Sequence, residues 1–178
     1  MIRTAWISDG GTYRWTLTRK WDDRPMLLVL MFNPSTADAE VDDPTISLLC
    51  WIASFNGYGG IVVVNLIPLR SSDPAEAVRL VELARSGSDA HQEALGRNLA
   101  VICCEARKAG AVLFGYGALA ERCVDWAETV QTEINAVRRS RERLPVYCLG
   151  RTAAGYPKHP LARGKHKVPK NAPLQAWD

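Results

Sequence analysis

The sequence predicts an α/β fold: a three-layer α/β/α domain with a central, mostly parallel four-stranded sheet and an N-terminal β-hairpin. Short apolar runs alternate with longer stretches of helical spacing, which is the pattern of parallel sheets covered by helices. The runs are apolar throughout rather than alternating, and this indicates strands buried on both faces. With 178 residues, the chain is expected to form a single domain, residues 1–178.

The chain begins with a hairpin, which is followed by the first strand and helix of the core. Apolar and polar residues alternate crudely over residues 3–21 around a Gly-Gly turn, as in a β-hairpin. The apolar run at residues 26–32 is the first buried strand. Helical spacing over residues 36–56 predicts a helix that begins near Asp43, because Pro44 suits the first helical position.

The same alternation continues to the end of the α/β core, which we place at residues 26–163. Further strands are predicted at residues 61–66, 111–115 and 145–149, and further helices at residues 72–85, 90–108 and 118–138. Parallel strands point the same way, so their carboxyl ends lie along one edge of the sheet, where α/β proteins bind ligands. The ends of the predicted strands are therefore expected around one crevice: Asn33, Asn65, Gly115 and the segment after Gly150.

Two asparagines, Asn33 and Asn65, occupy matching places at the ends of apolar runs. An amide offers donors and an acceptor, so the pair could read the edge of a nucleobase or orient a water molecule. The alternative is that each amide ties down its own turn. Asp38 follows the first run and could act as a general base or position a water. With Asp42 and Asp43 it could hold a divalent ion, or all three could be acids favoured at a helix N-terminus.

His159 is the histidine that we expect to act in the crevice. It lies between a strand-end glycine and prolines rather than on an apolar helix face. Near neutral pH an imidazole donates a hydrogen bond to a developing anion or shuttles a proton. Four aromatic side chains, Phe32, Tyr58, Tyr116 and Tyr156, could stack on a base or could pack in the core or at its rim.

Positive charge is concentrated near the C-terminus. Between Arg138 and Lys170 ten residues are Lys or Arg and one is acidic, although the whole chain has a net charge of only +3. This basic segment, residues 138–170, suits a polyanion, but a solvated charged tail would have the same composition. The side chains expected to contact phosphate are Lys158, Arg163, Lys165 and Lys167.

Composition argues against several protein classes. No apolar stretch is long enough to span a membrane, and the N-terminus lacks the apolar region of a signal peptide, so a cytoplasmic location is expected. The five cysteines form no C-x-x-C pair and do not cluster with the three histidines. Buried thiols are therefore expected rather than zinc ligands or disulfides, and we expect neither a metal nor a cofactor.

Four segments, in order, resemble motifs of the uracil-DNA glycosylase superfamily. Residues 30–35 (LMFNPS) resemble the strand end that activates water, and residues 62–69 (VVVNLIPL) resemble the strand end that reads uracil. Residues 112–118 (VLFGYGA) resemble the third strand, and residues 158–161 (KHPL) take the place of the H-P-S motif.

The glycosylase resemblance implies three roles. Asn33 would orient or activate water, Asn65 would bind the base, and His159 would stabilise the anionic leaving base. With Asp38 as a possible helper of Asn33, the expected catalytic residues are Asn33, Asp38 and His159. The expected base- or nucleotide-binding residues are Phe32, Pro34, Ser35, Asn65, Gly115, Tyr116 and Tyr156.

The chain also looks closely like a bacterial family, domain of unknown function 1643. The shared segments are NPSTAD at residues 33–38, DDPTI at residues 42–46 and G-x-P-x-H-P-L at residues 155–161. This second resemblance implies no particular activity. The function we expect is glycosylase-like: binding a nucleobase in nucleic acid or in a nucleotide and hydrolysing its N-glycosidic bond. The alternative is a non-catalytic nucleotide or nucleic-acid binding module on the same scaffold.

Overall fold

The secondary structure alternates between strands and helices along most of the chain. The computed structural model describes residues 1–140 and 144–177. The strands in these residues are β1 (Ile2–Ile7), β2 (Arg14–Lys20), β3 (Met26–Met31), β4 (Gly60–Asn65), β5 (Ala111–Phe114), β6 (Val146–Cys148) and β7 (Gln175–Ala176). The α-helices are α1 (Pro44–Phe55), α2 (Pro74–Arg85), α3 (Asp89–Lys108) and α4 (Val124–Ser140), and short 3-10 helices occur at Ala118–Cys123 and Gly164–His166.

All of these strands belong to one mixed sheet, in the order β1-β2-β4-β3-β5-β6-β7. The neighbours β4, β3, β5 and β6 pair in parallel, whereas β1, β2 and β7 pair antiparallel at the two sides. The sheet is therefore larger than the four strands predicted. The hairpin extends it because β2 pairs with β4, where the fully buried Leu17 lies opposite Val63.

Helices cover both faces of the sheet, which explains why β3 is apolar along its whole length. Leu28 and Leu30 belong to a core shared with α2, α3 and α4. Leu27, Val29 and Met31 belong to a second core, which is shared with α1 and the segment around Val168. Alternate side chains of a strand point to opposite faces, so each face of β3 is buried in its own core. Among the described residues, no helix has both the length and the apolar composition needed to cross a membrane.

Most elements lie where the sequence predicts them, and the differences have local causes. The hairpin is confirmed, as are the buried strands and the helices that follow them. Helix α1 begins at Pro44 because the side chain of Asp43 accepts a hydrogen bond from the backbone N–H of Ile46 (2.9 Å). The last predicted helix starts as a 3-10 turn after Gly117 and becomes α-helical at Val124.

A buried ion pair ties the hairpin to the loop before α1. Arg19 on β2 has no exposed surface, and its Nε atom donates to Asp42 Oδ1 at 2.8 Å. Its Nη2 and Nη1 atoms donate to the carbonyl oxygens of Asp38 (2.6 Å) and Thr18 (2.9 Å). Asp42 also pairs with the exposed Arg3 at 2.6 Å. The loop that leads into α1 is therefore held against the sheet by charge.

We expect Asp42→Ala to lower the free energy of unfolding by about 3 kcal/mol, because Arg19 would become a buried cation without a carboxylate. Urea denaturation measures the change. The control is Asp23→Ala, which removes a carboxylate that is 99% exposed and pairs with Lys20; this variant should unfold at the wild-type midpoint. Similar losses in the two variants would show that the Arg19–Asp42 pair has no special structural role.

Candidate active site

A cavity of about 210 Å³, which we call the strand-end cavity, opens at the carboxyl ends of β3 and β4. Its polar lining includes Arg14, Asn33, Asp43, Asn65 and His159. Asn33 follows β3, Asn65 is the last residue of β4, and His159 lies in the loop after β6. The parallel register sets Met31 beside Asn65, so the ends of β3 and β4 are level. The structure thus brings together the three residues that the sequence placed in one crevice; their roles stay predictions.

Asn33 connects two loops through the donor end of its amide. Its Nδ2 atom donates to the carbonyl oxygens of Ser71 (2.9 Å) and Pro34 (3.1 Å). This fixes the orientation of the amide, so the Oδ1 atom is the part that remains to accept a hydrogen bond from a ligand or water. Asn33 therefore stabilises its own turn, as the structural alternative supposed, and still presents an acceptor.

In Asn65 the oxygen of the amide, rather than the nitrogen, is held by another residue. Only 1% of the residue is exposed, and its Oδ1 atom accepts from Arg14 Nη2 at 3.1 Å. No hydrogen-bond acceptor for its Nδ2 atom occurs in the described part of the chain. The backbone oxygen of Asn65 accepts from the fully buried Asn98 at 2.8 Å. Because the oxygen of the Asn65 amide is occupied, the amide offers a donor to the cavity.

Arg14 is the functional candidate that the sequence analysis missed. It is 3% exposed, and its Nη1 atom donates to the carbonyl oxygen of Ala37 at 3.0 Å. Within residues 1–140 and 144–177 it makes no ion pair, and its buried Nε atom has no acceptor. Burial lowers the pKa of Arg14 to about 10, and Asp43 opposes that shift. The side chain thus stays protonated near neutral pH and places a positive charge beside the cavity, where Asp43 is the nearby carboxylate.

His159 is half-buried and its proton is positioned by the backbone. The Nδ1 atom accepts a hydrogen bond from the N–H of Leu161 at 3.0 Å, so in the neutral ring the proton is on Nε2. Burial lowers the pKa of His159, and the Asp43 carboxylate opposes the shift. Gly117, at φ 74°, packs against the ring's Cβ so closely that a side chain there would lie 3.2 Å from it. His159 is therefore a neutral, fixed donor.

Of the three aspartates near α1, Asp43 lines the cavity. One of its oxygens caps α1, and the other has no hydrogen-bond partner among the described residues. Asp42 is occupied by the arginines of the hairpin. Asp38 Oδ1 accepts from the backbone N–H groups of Val41 (2.9 Å) and Glu40 (2.8 Å), and these bonds hold the pKa of Asp38 below its usual range. Asp38 lies outside the cavity lining.

The remaining predicted base-binding residues fall into two groups. Phe32 and Ser35 line the cavity, whereas Pro34 and Gly115 lie buried beside it. Tyr116 and Tyr156 do not line the cavity and pack in the core formed with α2, α3 and α4, to which Phe32 also belongs. Gln131 donates to the Tyr116 hydroxyl at 2.9 Å, and burial raises the pKa of this tyrosine. The two tyrosines therefore lie on the face of the sheet that α2, α3 and α4 cover.

The four lysines and arginines expected to contact phosphate do not line the cavity. Lys158 lies against Gly150, and Lys165 is exposed. Arg163 and Lys167 line a second, larger cavity beside α1. Arg141 and Arg143, which the basic segment 138–170 includes, lie outside the described residues, as does Glu142.

The structure places no set of metal ligands in the described part of the chain. No group of three or more His, Cys, Asp or Glu side chains is arranged there to hold an ion. All five cysteines are free thiols: Cys103, Cys123 and Cys148 are buried, Cys50 is half-buried and Cys104 is exposed. Burial raises the pKa of Cys50 and of Cys123 to about 11, so these two thiols are poor nucleophiles near neutral pH.

Comparison with known proteins gives one match. The family model described as a protein of unknown function, DUF1643, matches residues 14–161. The matched stretch contains every polar residue of the cavity described above. No match to the chain was found among curated proteins or among solved structures. The comparisons therefore support the resemblance to DUF1643 and add nothing to the resemblance to uracil-DNA glycosylases.

We expect Arg14→Met to lower the free energy of unfolding by less than Arg19→Met does, because the loss of its hydrogen bonds to Ala37 and Asn65 is partly offset by removal of a buried cation that makes no ion pair among the described residues. Urea denaturation measures this. The matched control is Arg19→Met, which removes an equally buried arginine whose charge is paired; this variant should be less stable than wild type. A comparable loss in Arg14→Met would mean that Arg14 is a structural residue rather than a functional one.

The lowered pKa of His159 makes stability depend on pH. Between that lowered pKa and the ordinary value of 6.5, the unfolded chain binds more protons at His159 than the folded chain does. The contribution of His159 is therefore fully present above pH 6.5 and is lost as pH falls. Urea denaturation from about pH 7.5 to 5 should show a steeper loss for wild type than for His159→Gln. Parallel curves would contradict the lowered pKa.

Proposed function

The chain belongs to the DUF1643 family, and we propose that it binds a nucleobase in the strand-end cavity and hydrolyses the N-glycosidic bond of that base. The observation that supports the proposal is the meeting of Asn33, Asn65 and His159, from three separate strand ends, at one cavity beside a buried cation. These are the residues to which the glycosylase resemblance assigns water activation, base binding and stabilisation of the leaving base.

The size of the cavity favours a single heterocyclic base. Ligand sites for drug-sized molecules usually measure about 300–1,000 Å³, and this cavity is about 210 Å³. The side chains of Met31 and Phe32 provide apolar walls that suit the faces of a flat ring. The sugar and phosphates of a nucleotide would remain outside.

The hydrogen-bond pattern favours a base with oxo groups. Asn65 presents a donor because Arg14 occupies its oxygen, and His159 presents Nε2–H because Leu161 occupies its Nδ1 atom. Two donors match two carbonyl oxygens, as in uracil, whereas a base with an exocyclic amino group would bring a donor against a donor. The positive charge of Arg14 would stabilise the anion that forms as the base departs.

The cavity also contains the groups that hydrolysis requires. In the proposed step, Asp43 accepts a proton from a water that is oriented by Asn33 Oδ1. The water oxygen bonds to the anomeric carbon of the sugar, and the N-glycosidic bond breaks. The electron pair of that bond leaves with the base, whose negative charge is stabilised by His159 and Arg14. Asp43 takes the place of Asp38 in this scheme, since Asp38 lies outside the cavity and caps a turn.

A second function, binding without turnover, has one specific observation in its favour. Asn33 Nδ2 and one oxygen of Asp43 both hold backbone groups, as residues with a structural role do. This alternative predicts saturable binding of the base with no product.

The test is the release of free base from oligonucleotides that carry one uracil, measured by chromatography, with cytosine in the same position as the comparison. We expect release of uracil and none of cytosine. Asp43→Asn should slow release by about 100-fold, the contribution of a general base. Asp38→Asn is the matched control, because asparagine also caps turns and helices, and it should react at the wild-type rate.

Three results would count against the catalytic proposal. Absence of base release together with saturable uracil binding would establish the non-catalytic alternative. Equal losses in Asp43→Asn and Asp38→Asn would remove the assigned role of Asp43. Equal release of cytosine and uracil would contradict the proposal that Asn65 and His159 both donate hydrogen bonds to the base.

A further inference from the structure

A second cavity, of about 930 Å³, lies beside helix α1 and faces a loop of the C-terminal segment. We call it the α1 groove. Its walls include Leu48 and Trp51 on α1 and Leu161, Arg163, Lys167 and Lys170 on the facing loop. The volume is several times that of the strand-end cavity, so the groove accommodates a much larger ligand.

The α1 groove lies next to the strand-end cavity, although no residue lines both. Pro44 and Pro160 line the groove, and their chain neighbours Asp43 and His159 line the cavity. A ligand with one group in the strand-end cavity could therefore extend past Pro44 and Pro160 into the groove.

The charged residues that line the groove are all basic. Helix α1 contains no charged residue. Residues 144–177 contain six Lys or Arg residues and no Asp or Glu. In the described part of the chain, Arg163, Lys167 and Lys170 make no ion pair, and all three are exposed. Unpaired cations on one wall and a neutral helix on the other are complementary to a polyanion.

Helix α1 also exposes two large aromatic side chains. Trp51 and Phe55 are each 59% exposed, and they are four residues apart, which places them on the same side of the helix. The Nζ atom of Lys170 lies 5.2 Å from the centre of the Trp51 ring. Aromatic rings beside cations are the elements with which proteins bind single-stranded nucleic acid, because each unpaired base stacks on a ring and each phosphate meets a positive charge.

We propose that the α1 groove binds a single strand of nucleic acid, so that the base in the strand-end cavity belongs to a strand rather than to a free nucleotide. This inference rests on the function proposed above and names the substrate class of that site. A single strand is required because Trp51 stacks on bases that are not already paired.

The binding test uses a fluorescein-labelled oligothymidylate of about 12 nucleotides, within the range of single-strand site sizes, and measures anisotropy at several salt concentrations. Trp51→Ala should weaken binding by at least about fivefold through lost stacking. The double variant Lys167→Gln/Lys170→Gln should reduce the slope of log affinity against log salt by about 1.4, since each phosphate contact in a single strand contributes about 0.7.

Matched controls come from the opposite face of the sheet. Trp6→Ala removes a tryptophan that is 47% exposed and contacts Arg97 of α3. Arg107→Gln/Lys108→Gln removes two exposed cations at the end of α3. Both controls should bind the oligothymidylate as wild type does.

Two outcomes would overturn the inference: groove variants that bind like the controls, or a duplex of the same sequence that binds as tightly as the single strand. The release of uracil separates this failure from failure of the proposed function. If the groove does not bind a strand but the cavity does hydrolyse the base, deoxyuridine and uracil-containing strands will lose their base equally well. The groove variants will then not change the rate. If the groove binds a strand but the cavity does not hydrolyse the base, strands will bind through the groove and no free base will be released.

Discussion

Strand β3 lies between β4 and β5, and helices cover both of its faces. A strand in this position cannot carry polar side chains along its length without burying them, so its polar groups begin where pairing ends. The parallel register then sets the end of β3 level with the end of β4. The convergence of Asn33 and Asn65 on one cavity follows from this burial, and so does the opening of the cavity at this edge of the sheet.

Two buried arginines on strand β2 differ in whether a carboxylate pairs with them. Arg19 and Arg14 are almost equally inaccessible. Arg19 has the carboxylate of Asp42, whereas Arg14 has two neutral oxygen acceptors and an unpartnered Nε atom among the described residues. An unpaired buried cation reduces stability, and such groups are concentrated at functional sites. Arg14 also orients the amide of Asn65, so one residue controls both the charge and the hydrogen-bond pattern of the cavity.

Helix α1 connects the two cavities. Its first turn is fixed by Asp43, which lines the strand-end cavity, while Trp51 lies two turns later in the α1 groove. The ion pair between Arg19 and Asp42 holds the start of this helix against the sheet. Loss of that pair would therefore disturb the position of Asp43 as well as the stability of the fold. The C-terminal segment completes the arrangement, since it contributes His159 to the cavity and the cations to the groove.

The sequence by itself determined the order of elements, the buried strands and the edge at which Asn33, Asn65 and His159 meet. It could do so because strand and helix periods are local, and because parallel strands must end at a common edge. Tertiary structure decided the rest. Arg14 occurs in an alternating hairpin strand, and its burial depends on pairing of β2 with β4. Asp43 lines the cavity whereas Asp38 caps a turn outside it, and Phe32 reaches the cavity whereas Tyr116, in the same core, does not. These are contacts between residues distant in the chain, which no local pattern encodes.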